Sequence, residues 1–505
     1  MNLFLKKKII IFTFISLISF ILFRGRLGSD DLEVFNLVYS FLNSHLNFYD
    51  FFYELGKNNI ELNNYNDLQK PDSNTFNHRF VWVLQSFIIT KFVLLFNSVF
   101  KIDLYFLAQY FCGYILTFYT VLSFYLTYIF FIKNNVEKLK SLFLCFLLFL
   151  GTGLISFFTG SYIESLILLL FVIRLTSNNL ILKFFSDLLI CLIKPYYLVV
   201  LFLLKLSENN YKKILYLFSY FFFITILYFT IKFSLLNFSI SSGITNISTF
   251  KPNYDIFFVI KNLYNFYFSL GIGVVFTAPA IIILIIFGNK KNETFFKILG
   301  VFLLSIFLCL WEGFHGYAPG GRYFLPSLII FIPEIISGYK KIILLKNNKT
   351  FNVLTFTFFI LILVNIPTLE YRNTNLNSYI NKSFKNNSSL SPVYFNERNE
   401  MKLKYTPINN IEYHHIFFAN KVILYKILGR DNLIISNYTV KVSDIYPMTG
   451  FARLIFIKNT NLNLFGNNVF LLSNKFYLYI LIFYILFLMS LIFSIFLSFM
   501  YSNKR

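Results

Sequence analysis

The sequence predicts an all-α polytopic membrane protein, with about 12 transmembrane helices and a small extracytoplasmic subdomain of α/β or mixed character. Three observations carry that prediction. Hydrophobic residues make up 57% of the 505-residue chain and charged residues only 13%. The apolar residues gather in unbroken runs rather than at amphipathic spacing, and such runs match a bilayer interior of about 30 Å. The basic residues collect in alternate short connections between the runs.

Taken in order, the first run, "IIIFTFISLISFILF", follows Lys6–Lys8. A basic start before an apolar stretch is also the outline of a signal peptide. The run ends in "RGRLGSDD" without a small-residue cleavage site, which favours an uncleaved span over 8–23. Further spans are expected near 103–131, 139–158, 162–174, 180–194, 195–205, 213–235, 267–287, 295–310, 323–338, 351–368 and 476–500. Those between 162 and 205 are shorter than the roughly 20 residues of an upright span, so they read as broken or re-entrant helices. The stretch 80–97, "FVWVLQSFIITKFVLLFN", would break the alternation of basic loops and reads as a helix in the outer interface. The chain therefore divides into a membrane module over 1–370, with a first extracytoplasmic loop at 24–102, a soluble extracytoplasmic region over 371–475, and a last helix with a cytoplasmic tail over 476–505.

The formal charge of +22 would suggest nucleic acid for a soluble protein. Here it marks topology, and no nucleic-acid partner is expected. The basic positions are Lys6–Lys8; Lys133, Lys138 and Lys140; Arg174; Lys205, Lys212 and Lys213; Lys290, Lys291 and Lys297; Lys340, Lys341, Lys346 and Lys349; and Lys504 with Arg505. The positive-inside rule makes these loops and both termini cytoplasmic, in a cytoplasmic (inner) membrane. The stretches of unusual chemistry then share the opposite face: 24–102, the turn near Gly160, Lys194 with Pro195, the loop before Gly271, 311–322 and 369–475. Cys112, Cys145, Cys191 and Cys309 lie inside apolar runs without metal-ligand spacing and read as small buried hydrophobes.

Several residues on that outer face could carry chemistry. Asp30 and Asp31 follow the first span in "GSDDLEVF". A carboxylate at a membrane interface suits a general base that takes a proton from an alcohol, while Ser29 or Asp30 could equally cap a short helix. His78 and Arg79 precede the interfacial helix, where they could hold a phosphate or, for Arg79, snorkel to lipid headgroups. Glu164, in "TGSYIESLILLL", and Lys194, in "LIKPYYLVV", are ionisable groups in apolar sequence. Each calls for a partner, and a mutual ion pair is one answer. "WEGFHGYAPGGRYFLP" puts four glycines in nine residues ahead of Arg322, beside Trp311, His315 and Tyr323. A plain interfacial anchor accounts for the arginine and aromatics but not for the glycines.

These motifs together resemble the GT-C superfamily of integral membrane glycosyltransferases, especially bacterial protein O-mannosyltransferases and the aminoarabinose transferase of lipid A. The resemblance runs over roughly 20–340. It rests on the acidic pair of "GSDDLEVF", the segment "NHRFVWVLQSF", Ser161 to Glu164 as "SYxE", Lys194–Pro195, Gly273 to Pro279 in "GIGVVFTAP", and Gly320 to Pro326 as "GxRYxxP". The pair is Asp-Asp where the family more often has Asp-Glu, the interfacial helix lacks the usual Gly and Pro, and 371–475 matches nothing in the family.

The resemblance implies a polyprenyl-phosphate-linked sugar donor and a glycan, lipid or protein acceptor. It implies an inverting displacement with Asp30 as base and Asp31 positioning the acceptor. Arg322 would stabilise the leaving phosphate, with Lys194, Arg79 or His78 assisting. Some members bind a divalent metal and others need none; no ligand cluster here decides the matter, and no cofactor is assigned. Two alternatives stay open: a lipid-linked oligosaccharide flippase or transporter, and a glycan polymerase or ligase whose large loop would use His414, His415 and Arg398.

Overall fold

The computed structural model describes residues 3–22, 34–35, 37–39, 41–42, 80–101, 104–159, 163–208, 214–230, 253–270, 273–288, 291–310, 321–344, 349–369, 371, 393–395, 401–403, 415–435, 438–442 and 445. These are mostly helical. The helices are α1 (Leu3–Leu22), α2 (Phe80–Phe100), α3 (Leu104–Lys133), α4 (Lys138–Phe149), α5 (Glu164–Thr176), α6 (Leu180–Ile193), α7 (Leu198–Glu208), α8 (Ile214–Thr230), α9 (Ile256–Phe268), α10 (Pro279–Gly288), α11 (Lys291–Cys309), α12 (Ile332–Leu344), α13 (Lys349–Asn365) and α14 (His415–Ile427). Among the described residues, three segments are long and apolar enough to cross a membrane: Phe111–Lys133, Asn292–Cys309 and Phe351–Leu369. Large apolar side chains such as Ile10, Phe12 and Phe14 on α1 and Phe295, Ile298 and Phe302 on α11 face outward, as lipid-facing positions do.

The breaks between helices follow local chemistry. α4 stops at Phe149 because Gly151, Thr152 and Gly153 follow; Thr152 Oγ1 donates to Leu148 O at 2.6 Å and accepts from Leu154 N at 3.2 Å, and a 3-10 turn takes over at Gly153–Thr159. The span expected over 267–287 is three pieces, since Ser269 ends α9, a single turn forms at Val274–Thr277, and Pro279 starts a new helix. Within the stretch before Gly271, read above as a loop, Ile256–Phe268 is helix. Over 323–338 the chain begins as a 3-10 helix, Leu325–Phe331, with Pro326 in its first turn, and relaxes into α12 at Ile332. α5, α6 and α7 have 13, 14 and 11 residues, shorter than an upright span, as the sequence predicts.

Packing orders these elements between two ends. Phe12 meets Phe118 and Tyr114 Oη donates to Ser16 O, so α1 and α3 run antiparallel. Lys340 Nζ donates to Asn134 O at 3.0 Å, which brings the basic half of α12 to the basic connection between α3 and α4. α10 and α12 touch through glycine: a Cβ on Gly288 would sit 1.9 Å from Glu334 O, and one on Gly338 would sit 2.0 Å from Leu284 O. Only backbone fits there, the small-residue contact typical of membrane helices. Beyond α13, Asn420 Nδ2 on α14 donates to Val364 O at 2.8 Å. Two antiparallel strand pairs, β1 (Val393–Phe395) with β2 (Met401–Leu403) and β3 (Asn432–Ile435) with β4 (Tyr438–Lys441), accompany α14 in the 371–475 region.

Candidate functional site

Four of the sequence-selected residues meet at one end of the bundle. Lys194 closes α6. The proline after it excludes helical geometry at Lys194, which is extended at φ −145°, ψ 96°, and Pro195 then opens a 3-10 turn through Tyr197. Glu164 is the first residue of α5 and its side chain is fully buried. Gly321 adopts φ +71°, where a Cβ would press within 2.9 Å of the Phe266 ring. Its carbonyl accepts from Phe324 N and Leu325 N. A glycine is therefore required at 321, and it sets the direction in which Arg322 and Tyr323 leave the turn.

Tyr323 is the hub. Lys194 Nζ lies 5.0 Å from its ring centroid and Arg322 Cζ lies 4.7 Å from it, with Arg322 Nη2 donating to Tyr323 Oη at 2.8 Å. Tyr197 Oη donates to the Tyr323 carbonyl. Tyr196 packs on Tyr197, Phe307 and Tyr323, walling the cluster with rings. Lys194 Nζ is 3.9 Å from Glu164 Oε1, at the outer limit of an ion pair. Two cations thus flank one aromatic ring, a geometry in which both can reach the oxygens of one anion.

The other end has opposite character. Arg174 lies about 15 Å further along α5 than Glu164 at 1.5 Å per residue. Its fully buried guanidinium donates through Nε to Asp187 Oδ1 at 2.7 Å and through Nη1 to Glu208 Oε1 at 2.8 Å. Tyr220 Oη donates to Asp187 Oδ2 at 2.8 Å, and Lys205 Nζ sits 4.7 Å over the Tyr220 ring. α5, α6, α7 and α8 are thereby tied together. Lys297 Nζ on α11 donates to both carboxylate oxygens of Glu334 on α12, at 2.8 and 3.0 Å. Arg174, Lys205 and Lys297 are thus not loop charges: each lies within a helix and is buried, and the short distances show Arg174 and Lys297 matched by carboxylates. The sequence signal for this was the isolated Asp187 inside the apolar run "LILKFFSDLLICLI".

Asp30, Asp31, His78, Arg79, Trp311 and His315 lie outside the described residues. Val34, in the helical stretch that follows the acidic pair, is buried, and Ser86 Oγ on α2 donates to its carbonyl at 3.4 Å. Phe41 packs edge-on against Phe87. Among the described residues no group of three His, Cys, Asp or Glu side chains is placed to hold a metal ion. No family model matches the chain, and no curated protein or solved structure matches it.

Proposed function

We propose that the protein is a membrane glycosyltransferase that moves a sugar from a polyprenyl-phosphate-linked donor to a cell-surface glycan, lipid or protein acceptor on the extracytoplasmic face. The observation that supports this reading best is that two cations, Lys194 and Arg322, share the ring of Tyr323. Adjacent cations on one aromatic face can bridge the oxygens of a single phosphate. The motif order that resembles the GT-C enzymes supplies the rest.

In this reading the acceptor hydroxyl gives its proton to Asp30, held in place by Asp31. The oxygen attacks the anomeric carbon from the side opposite the phosphate, the bond between that carbon and the phosphate oxygen breaks, and the electron pair leaves with the polyprenyl phosphate. The configuration inverts. Arg322 and Lys194 hold the phosphate as charge builds on its oxygen, with Arg79 or His78 assisting. In this reading the chain makes about 12 passes with both termini cytoplasmic, and 371–475 forms an extracytoplasmic subdomain beside the site.

The test is transfer of labelled sugar from a polyprenyl-phosphate donor by the protein reconstituted in liposomes. Asp30→Asn is expected to abolish transfer while the protein stays inserted and monodisperse, and wild-type transfer by that variant refutes the general base. If labelled lipid crosses the bilayer without a glycosidic product, the flippase reading replaces this one.

A further inference from the structure

The tip of Tyr196 is buried more completely than the residue that carries it. The residue as a whole is only half-buried, yet its hydroxyl oxygen is closed off from solvent and has no hydrogen-bond partner among the described residues. An amphipathic ring usually does the reverse, burying its body and leaving its tip in water or at a headgroup. A buried hydroxyl left unpaired weakens the fold, and a phenylalanine of the same shape would avoid that loss. The local chain explains how the tip is held inward. Pro195 opens the 3-10 turn Pro195–Tyr197, whose three residues per turn send Tyr196 and Tyr197 in different directions from one short segment. Tyr197 spends its hydroxyl on the Tyr323 carbonyl. Tyr196 instead sets its ring against Tyr197, with centroids 5.0 Å apart, and edge-on against Tyr323 at 6.4 Å. Its hydroxyl lies within electrostatic reach of Glu164, Tyr323 and Arg322.

From these observations we infer that the Tyr196 hydroxyl is a third donor to the phosphate held by Lys194 and Arg322, so that two cations and one neutral O–H read the same group. The inference rests on the phosphate role proposed above for those cations and adds a residue to it. Chemistry selects the occupant. Lys194 and Arg322 can only donate, and Tyr196 has a proton to give, so a group that satisfies all three must accept three times at once. A phosphate ester carries at least two unesterified oxygens, each able to accept more than one hydrogen bond, and its negative charge strengthens every one of them. The neutral donor supplies what the cations lack. Charge attracts a phosphate from any direction, whereas an O–H needs an oxygen in line with it, so the hydroxyl fixes which way the ester faces.

The test is equilibrium binding of radiolabelled polyprenyl monophosphate to the full chain in phosphatidylcholine nanodiscs, read beside the melting temperature of the ligand-free particles. Tyr196→Phe is expected to weaken binding about 10-fold, the worth of one charge-assisted hydrogen bond. Its ligand-free melting temperature is expected to stay level or rise, because no hydroxyl is left buried alone. Tyr197→Phe, which loses a bond made inside the protein, is expected to melt lower and sets the scale. A fall in the melting temperature of Tyr196→Phe, whatever its affinity, overturns the inference, since the hydroxyl is then bonded within the protein, to a group such as the Glu164 carboxylate. Unchanged affinity of Tyr196→Phe also overturns it; if Arg322→Ala binds weakly in the same assay, the phosphate role of the cations survives. Absence of binding by the unsubstituted protein overturns both. Unlabelled phosphatidic acid and inorganic phosphate separate the sources, and neither is expected to displace the label at concentrations where polyprenyl phosphate does. Displacement by either, with the same loss in Tyr196→Phe, keeps the three-donor site and removes the polyprenyl donor from the reading.

Discussion

Tyr323 holds two cations by its ring and one by its hydroxyl, and the two descriptions overlap at Arg322. A cation over an aromatic face gains about 0.5–2 kcal/mol, rising as water is excluded. That is enough to set a lysine and an arginine side by side. A phosphate between them gives each cation a charge-assisted hydrogen bond of about 1.5–3 kcal/mol. Arg322→Ala is therefore expected to weaken donor binding by roughly 10- to 100-fold, seen as a rise in donor KM at nearly unchanged thermal stability. Arg322→Lys keeps the charge but loses the planar fork, and its KM is expected to fall between the two. If donor KM is unmoved and only the melting temperature drops, Arg322 is an interfacial anchor and the phosphate role is lost.

At the scale of elements, the clamp on Arg174 decides how the short helices hold together. α5, α6 and α7 are each too short to be pinned by length alone, and the guanidinium joins all three through Asp187 and Glu208. Deleting one partner of a buried pair leaves the other charged and dry, at a cost of about 3–5 kcal/mol. Arg174→Met is accordingly expected to lower the melting temperature in detergent sharply, and Arg174→Met with Asp187→Leu to recover a large part of the loss. Equal melting of the single and double variants shows that the clamp is packing rather than charge. The ends of these helices were legible in the sequence, since Lys194–Pro195 and Asn179, which caps α6 by accepting from Ile181 N, announce themselves locally. The clamp was not: Asp187 and Glu208 come from 13 and 34 positions away, and pairing across that separation leaves no periodic trace. The same limit hid α9, whose buried Asn262 and Asn265 make its residues read as polar loop until the bundle supplies their partners. At the candidate site, Glu164 and Lys194 were readable as ionisable groups in apolar sequence and Arg322 as the cation after a glycine-rich loop, whereas the meeting of Lys194 and Arg322 on Tyr323 needed the fold.

For the whole molecule the question is which end faces out. Two of the basic stretches that set orientation by the positive-inside rule meet in space, since Lys340 reaches the carbonyl of Asn134 beside Lys133 and Lys138. Burial of Arg174 and Lys297 in ion pairs does not remove them from that argument, because the rule counts Lys and Arg near span ends as the chain inserts, before tertiary pairs exist, and acids contribute little to it. The end carrying Arg174, Lys297 and Lys340 should then be cytoplasmic and the Tyr323 end extracytoplasmic, as a transferase acting on surface acceptors requires. Ser29→Cys is expected to react with an impermeant thiol reagent added to intact cells, and Lys212→Cys only after permeabilisation. The reverse pattern would turn the molecule over and place the cation cluster in the cytoplasm. A polyprenyl-phosphate sugar could still bind there, but an acceptor beyond the membrane could not, so the proposed reaction would fail even though every contact around Tyr323 stayed as it is.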